Sequence, residues 1–338
     1  VRLPTSCTVV ALLGAACGRT PAPEAMTSVD MVDGTSTGDG TGDDEASSST
    51  TSAAAPDGSM TDDVWEIRAN AVAVPAEETS YLCFGATMPL DGLAHVTALE
   101  PVIDDATVVH HMLLRRVAEP VGQAEPCYPE PAGSTLLWGW GPGAGAMVLP
   151  PEAGLLVGER PAEHLALQIH YNNPLLSGGR VDDSGIAIHY TSQLRPEHAA
   201  VVGLGDVAGL VIPPGQPQWP TVHVCPAATT AALSQPLHVF ASWLHAHELG
   251  TVLWTDHRRD GATVGELGRA DPYDFGAQTL QPLDAVIEPG DELWTHCWYD
   301  STSRAEVTYG GGASTDEMCL NYLWVWPRPT VLYYCNAQ

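Results

Sequence analysis

From residue 64 onward, apolar positions come in short bursts and not at helical spacing. Val64-Trp65-Glu66-Ile67 opens the series, and strand-like runs follow at 71–74, 93–98, 108–114, 165–171 and 185–190. Leu194-Arg195-Pro196 reads as a joint, after which runs recur at 199–204, 207–212, 237–244, 250–255, 292–299 and 320–326. Each run alternates or stays apolar, and Pro/Gly turns separate them, as in half-buried and fully buried strands. No long stretch repeats apolar residues every 3.6 positions, and no internal repeat stands out. The pattern predicts an all-β chain of two tandem antiparallel jelly-roll-like sandwiches, one over 64–194 and one over 195–338.

The preceding 18–63 segment is Thr, Ser, Gly, Asp and Ala with almost no large apolar residue. It cannot bury enough surface to offset its ordering entropy, so a disordered acidic linker is expected. Before it, Arg2 and the apolar stretch 8–16 read as an export signal too short to span a bilayer. Cys17 follows Leu13-Gly14-Ala15-Ala16, close to a lipobox with its leucine one place early. Lipidation of Cys17 and simple cleavage near Ala16 both fit. The expected location is extracytoplasmic, either secreted or lipid-anchored to a bacterial membrane. Of eight cysteines, Cys7 lies in the signal and Cys17 at its end. The other six, Cys83, Cys127, Cys225, Cys297, Cys319 and Cys335, fit three disulfides in an exported chain. None forms the C-x-x-C pair of a zinc ribbon or redox motif. The formal net charge of −28 lacks the basic footprint of a nucleic-acid binder and suits a soluble exported monomer.

Three histidine segments change the picture: Val109-His110-His111-Met112, Leu167-Gln168-Ile169-His170-Tyr171 and Trp243-Leu244-His245-Ala246-His247. In a strand, residues i and i+2 share a face, so His245 and His247 can aim at one point. His110 and His111 are adjacent and would face opposite ways, so a shared role needs a bulge or a strand end. Each feature alone is as compatible with a packed or partly exposed histidine as with a ligand. A fourth segment, 310–319, runs from a glycine turn through Asp316-Glu317 to Met318. Met usually fills cores, but a thioether ligand selects copper, especially Cu(I). The G-x-S-x-G match at 34–38 lies in the linker, where nothing could present Ser36 as a nucleophile.

Five segments in order, VHHMLL (109–114), LQIHY (167–171), IPPG (212–215), HVFASWLHAHELG (238–250) and GGGASTDEMC (310–319), resemble the copper type II ascorbate-dependent monooxygenases. The resemblance covers 64–338 and implies two copper ions per chain. His110, His111 and His170 would hold one in the N-terminal sandwich. His245, His247 and Met318 would hold the other, where O2 binds and a substrate C–H bond is hydroxylated. Ascorbate or another one-electron donor would reduce both. The resemblance also implies the pairs Cys83–Cys127, Cys225–Cys335 and Cys297–Cys319, the last bracing the Met318 loop. His238 matches a histidine that binds no metal, and Gln168 points with His170.

The chain also departs from the family. Arg115-Arg116 stand where animal members carry a cysteine. Trp243 stands where peptide-hydroxylating members carry an arginine. By alternation Trp243 shares a face with His245, so it is expected to wall the substrate site and favour an aromatic or amine-bearing small molecule. Its alternative is core packing. Two other functions compete with the monooxygenase: a non-catalytic copper-binding protein, and a purely structural or adhesive sandwich.

Overall fold

The computed structural model describes residues 62–335. The export signal, Cys17 and all but the end of the acidic linker lie outside the described residues. Within them the chain is strands and turns, with one short helix, Ala227–Thr230.

A five-stranded sheet runs in the order Gln123–Pro126, Thr79–Met88, Glu163–Asn172, Val109–Val117, Thr135–Trp140. It packs on the first part of a larger sheet, formed by Asp63–Arg68, Gly185–Thr191, Ala94–Val102 and Ala153–Val157. Leu82, Phe84, Met112, Leu114 and Leu167 from one side and Ile67, Leu99, Leu155 and Ile188 from the other make the core. The larger sheet continues through Glu197–Asp206, Cys319–Trp326, Leu237–His245 and Gln281–Ile287. Across that second part lies a four-stranded sheet, Trp219–Cys225, Glu292–Tyr299, Gly250–Arg259, Ala262–Ala270. Val202, Leu204, Val239, Leu293, Leu323 and Val325 fill the space between them. The halves are therefore joined by a shared sheet. The seam is parallel, Glu197 opposite Ala153 through Ala199 opposite Leu155, in an otherwise mainly antiparallel fold.

Alternation along Leu237–His245 decides how the halves meet. Ser242 and Leu244 face the four-stranded sheet, while Ala241, Trp243 and His245 face the other way. There Trp243 and Trp324 join the core of the first half, and Trp324 Nε1 donates to the Leu137 carbonyl at 3.0 Å. Gly139 is glycine because the Trp243 ring occupies its side-chain space: a Cβ there would sit 2.5 Å from Trp243 Cζ3.

The joint 194–196 is pinned by a buried histidine. His95 Nδ1 accepts the Arg195 backbone N–H at 2.9 Å, so its proton lies on Nε2 and is donated to His198 Nδ1 at 2.8 Å. Burial, with His198 and Arg195 adding to it, lowers the His95 pKa to about 4.

Some runs shrink and others were hidden. The expected strand at 71–74 is only Val72–Ala73, and that at 207–212 only Val211–Ile212, because Val207–Leu210 closes a turn. Thr79–Met88 is a full central strand that its Thr, Ser, Cys and Gly residues disguise. Ala262–Ala270 is a largely exposed edge strand held by backbone pairing. The disulfides are Cys83–Cys127, Cys225–Cys335 and Cys297–Cys319.

Two outcomes are expected. Gly139→Val should lower unfolding free energy by about 1–3 kcal/mol through overpacking against Trp243; chemical denaturation at wild-type stability would contradict the seam. Below pH 6.5 the unfolded chain takes up a proton that folded His95 refuses until about pH 4. Stability should therefore fall as pH drops through that window. In His95→Gln that slope should lessen by up to one proton, roughly 1.4 kcal/mol per pH unit. Parallel pH profiles for the two proteins would contradict the assignment.

Candidate metal centre

Strand register brings the first three histidines together. Tyr81, His170 and His111 lie directly opposite one another across three neighbouring strands, so their side chains share a face. The register then slips: His170 opposes His111 but Tyr171 opposes Val109, leaving His110 as the extra residue of a β-bulge. The bulge lets two consecutive histidines turn to one side. His111 Nδ1 lies 3.3 Å from His110 Nδ1 and 3.2 Å from His170 Nδ1. The three residues offer ligand atoms within 4.8 Å of one another. Nitrogens that share one ion through bonds of about 2 Å stand at about this spacing.

The second group is built at a strand end. Leu237–His245 stops at His245, so His247 lies in the following turn and not on the strand. Its direction is set by that turn instead. Tyr273 clamps the residue between them, its hydroxyl bonded to both the N–H and the carbonyl of Ala246. The His245 and His247 rings end with centroids 5.2 Å apart.

Hydrogen bonds fix which nitrogens carry lone pairs. His110 Nε2–H donates to the Phe275 carbonyl at 3.0 Å, which leaves Nδ1 bare and facing His111. His245 Nδ1–H donates to Gln278 Oε1 at 2.6 Å, and His247 Nδ1–H to the Asp316 carbonyl at 3.2 Å. Those two rings therefore present bare Nε2 atoms. His247 Nε2 is buried and has no protein partner, and neither has His170 Nε2. Burial is the main reason all five imidazoles stay neutral. It lowers His110 and His247 to about 4 and His245 to about 3, and drives His111 and His170 well below the usual value. Neighbouring histidines lower His111 further.

The two groups touch. His111 and His245 have ring centroids 5.3 Å apart, because the outward face of Val109–Val117 meets the outward face of Leu237–His245. Between them lies a cavity of about 30 Å³ lined by His111, His245, Trp243 and Met318 among others. That is about one water molecule's share of liquid volume. Met318 also borders a larger cleft of about 500 Å³. Trp243 lines only the small cavity: it is buried, packed on Gly139, with its Nε1 donating to the Gln278 carbonyl at 3.3 Å. His238 is remote from these rings and stacks on Trp326 at 3.9 Å. Gln168 donates to the Cys127 carbonyl at 2.7 Å.

The Met318 loop is tied down from both sides. Glu317 is buried, and its carboxylate accepts the N–H groups of His247, Leu249 and Met318 at 2.9, 2.6 and 3.2 Å. Burial outweighs those bonds and raises its pKa to about 8. Tyr81 stacks on His170 with centroids 4.3 Å apart and donates through its hydroxyl to the Gly312 carbonyl at 2.7 Å. The Cys297–Cys319 bridge and the Tyr299 hydroxyl, which donates to the Met318 carbonyl at 2.9 Å, hold the far end. Tyr81, Phe275, Tyr273 and Gln278 lie outside the histidine and methionine segments of the sequence. Only Tyr81, two residues from Cys83, carries even a weak signal there.

Comparison with known proteins agrees with this geometry. The N-terminal domain model of the copper type II ascorbate-dependent monooxygenases matches residues 65–177, and the C-terminal domain model matches 197–338. The chain is 37% identical over 276 residues to tyramine beta-hydroxylase of Caenorhabditis briggsae, covering 76% of this chain and 47% of that protein. It is 34% identical over 294 residues to dopamine beta-hydroxylase of Equus caballus, covering 80% and 48%. DBH-like monooxygenase protein 1 of Homo sapiens is 34% identical over 281 residues, covering 76% and 46%. The chain thus spans about half the length of the curated relatives it matches. Among solved structures, the major capsid protein P2 of Bacteriophage PM2 aligns with a TM-score of 0.30 and 11% identity over 78% of this chain and 98% of that one, too slight a likeness to carry an argument. With both domain models matched and the histidine segments of each brought face to face, the chain belongs to the copper type II ascorbate-dependent monooxygenase family.

Proposed function

We propose that this protein is a copper monooxygenase that hydroxylates a C–H bond of an arylalkylamine, using O2 and ascorbate or a similar one-electron donor. The observation that carries the reading is that a cluster of His110, His111 and His170 meets the His245–His247 pair across one small cavity, which His111, His245 and Met318 line. The donor sets suit copper. Three imidazoles converge through Nδ1 atoms, and in the second group His247 Nε2 is buried without a protein partner. In that reading His110, His111 and His170 hold one copper ion, and His245, His247 and Met318 the other. A thioether in the second set favours Cu(I), the state that reacts with O2. Copper, when bound, supplies one-electron chemistry toward O2 that side chains lack.

The protein's own part is orientation and exclusion of water. The Phe275 carbonyl, Gln278 and the Asp316 carbonyl each hold one ring by its N–H, which fixes the tautomer and the direction of the lone pair. The Phe275 carbonyl also accepts the Gln278 side-chain N–H at 3.0 Å, so one short segment steadies a histidine of each group. The small cavity has room for a diatomic molecule, while the larger cleft beside Met318 has room for an aromatic substrate. The relatives named for tyramine and dopamine support an arylalkylamine.

The same proposal includes two domains meeting at 194–195, a monomer, and an extracytoplasmic setting. Three disulfides support an oxidising compartment. Among the described residues no helix is long and apolar enough to cross a membrane. Attachment through a lipid on Cys17 belongs to the proposal and can be tested by mass spectrometry of the mature N-terminus.

Three outcomes are expected. Purified protein given copper, ascorbate and O2 should convert tyramine to a product carrying one oxygen atom from 18O2. Binding of copper without oxygen uptake would leave the non-catalytic copper-binding reading instead. In titrations with a Cu(I) chelator, Met318→Ala should weaken one of two sites and His110→Ala the other; loss of both sites in either variant would contradict two separate donor sets. Gln278→Leu should weaken copper at the His245 group by about 10- to 100-fold, through loss of the ring's orienting partner. Unchanged affinity would remove Gln278 from that role.

A further inference from the structure

The cleft of about 500 Å³ beside Met318 has walls of unusual composition. Tyr128, Tyr322, Tyr333 and Tyr334 supply aromatic faces, and the only charged side chains among its lining residues are Arg115 and Glu130. Arg115 arrives there by alternation. It lies four residues beyond His111 on the same strand, so both look out of the same face of Val109–Val117. Its side chain is largely covered. Nη2 donates to Glu130 Oε1 at 2.7 Å, and Nη1 reaches Ser134 Oγ at 3.4 Å. Glu130 is half-open to the cleft, and among the described residues no donor bonds its Oε2. Glu130, Tyr128, Tyr322 and Met318 line both the cleft and the small cavity between the histidine groups.

Resting on the monooxygenase reading above, the geometry points to Glu130 as the residue that selects a protonated amine, with Arg115 as the positioning residue that fixes its carboxylate. Arg115 occupies one oxygen and leaves the other as an acceptor in a partly desolvated site, where a charge-assisted hydrogen bond is strong. An ammonium on Oε2 would also lie near the electron-rich face of Tyr128. A substrate carboxylate would meet Glu130 before it met the guanidinium, which is already paired. A neutral aromatic would use the tyrosines alone. The chain's net charge of −28 favours cations over anions in general. Selectivity for charge then comes from the loop carrying Glu130 in the N-terminal half, and not from the residue two places before His245.

The test compares tyramine with two isosteres, neutral 4-propylphenol and anionic 3-(4-hydroxyphenyl)propionate, on the copper-loaded full chain. Calorimetric binding of the same three compounds to metal-free protein runs in parallel. Glu130→Gln should raise KM and Kd for tyramine about 10- to 100-fold more than for 4-propylphenol, with the effect on KM and not kcat. It should also improve binding of the propionate, because Arg115 then lacks its partner. A merely structural role for the ion pair would weaken all three compounds alike. Glu130→Asp, which keeps the charge, should fold and keep the preference for tyramine over 4-propylphenol. It serves as the decisive variant if Glu130→Gln unfolds: loss of that preference in Glu130→Asp would overturn the inference. Equal shifts for tyramine and 4-propylphenol in Glu130→Gln would overturn it too. If wild type hydroxylates none of the three yet binds tyramine through Glu130, the monooxygenase reading fails and the amine site stands.

Discussion

The packing of Trp243 and Trp324 into the core of the first half is the contact on which the histidine centre depends. Both lie in the sheet shared by the halves, on the face away from the four-stranded sheet. His245 lies two residues from Trp243 on that face, so seating the indole against Gly139 also sets His245 against His111. The Trp324 indole bond to the Leu137 carbonyl fixes the lateral position of the seam. A purely apolar contact would allow the halves to slide. A directional bond in a dry interface resists that, because breaking it leaves a buried donor unpaired.

Burying five imidazoles against that seam has an electrostatic consequence. Desolvation removes their positive charge at neutral pH, and each ring spends one nitrogen on a protein acceptor or on crowding its neighbour. What remains is a set of lone pairs with few protons to compete for them. A soft cation is the natural partner for such a set when a thioether stands beside it. The buried carboxylate of Glu317 fits the same logic. Its oxygens accept the backbone N–H groups of His247 and Leu249 as well as that of Met318, so it ties the Met318 loop to the turn that carries His247.

Much of this was legible in the sequence where local periodicity governs, and little where distant segments meet. His110-His111 required a bulge for a common role, and the register slip at His170/Tyr171 supplies it. By spacing the H-x-H pair is a strand feature, but the strand ends at His245, and Tyr273 sets the direction of His247 from a segment 26 residues further on. Trp243 shares a face with His245 as alternation requires, and that face is the packed seam, where the buried indole borders the small cavity. Glu130 and Arg115 gave no signal because their meaning arises only when their loop and strand border Met318. The parallel seam at 153–155 and 197–199 was likewise invisible, since pairing partners leave no mark on either strand alone.

The most direct test is X-ray absorption at the copper edge on protein reduced and loaded to two Cu(I) per chain. The expected spectrum has nitrogen neighbours throughout and one sulfur for every two coppers, the sulfur disappearing in Met318→Ala while the nitrogen shells of the other site persist. Two coppers with only nitrogen neighbours in the wild type, or failure to hold a second copper at all, would contradict the division into a three-histidine set and a two-histidine, one-methionine set.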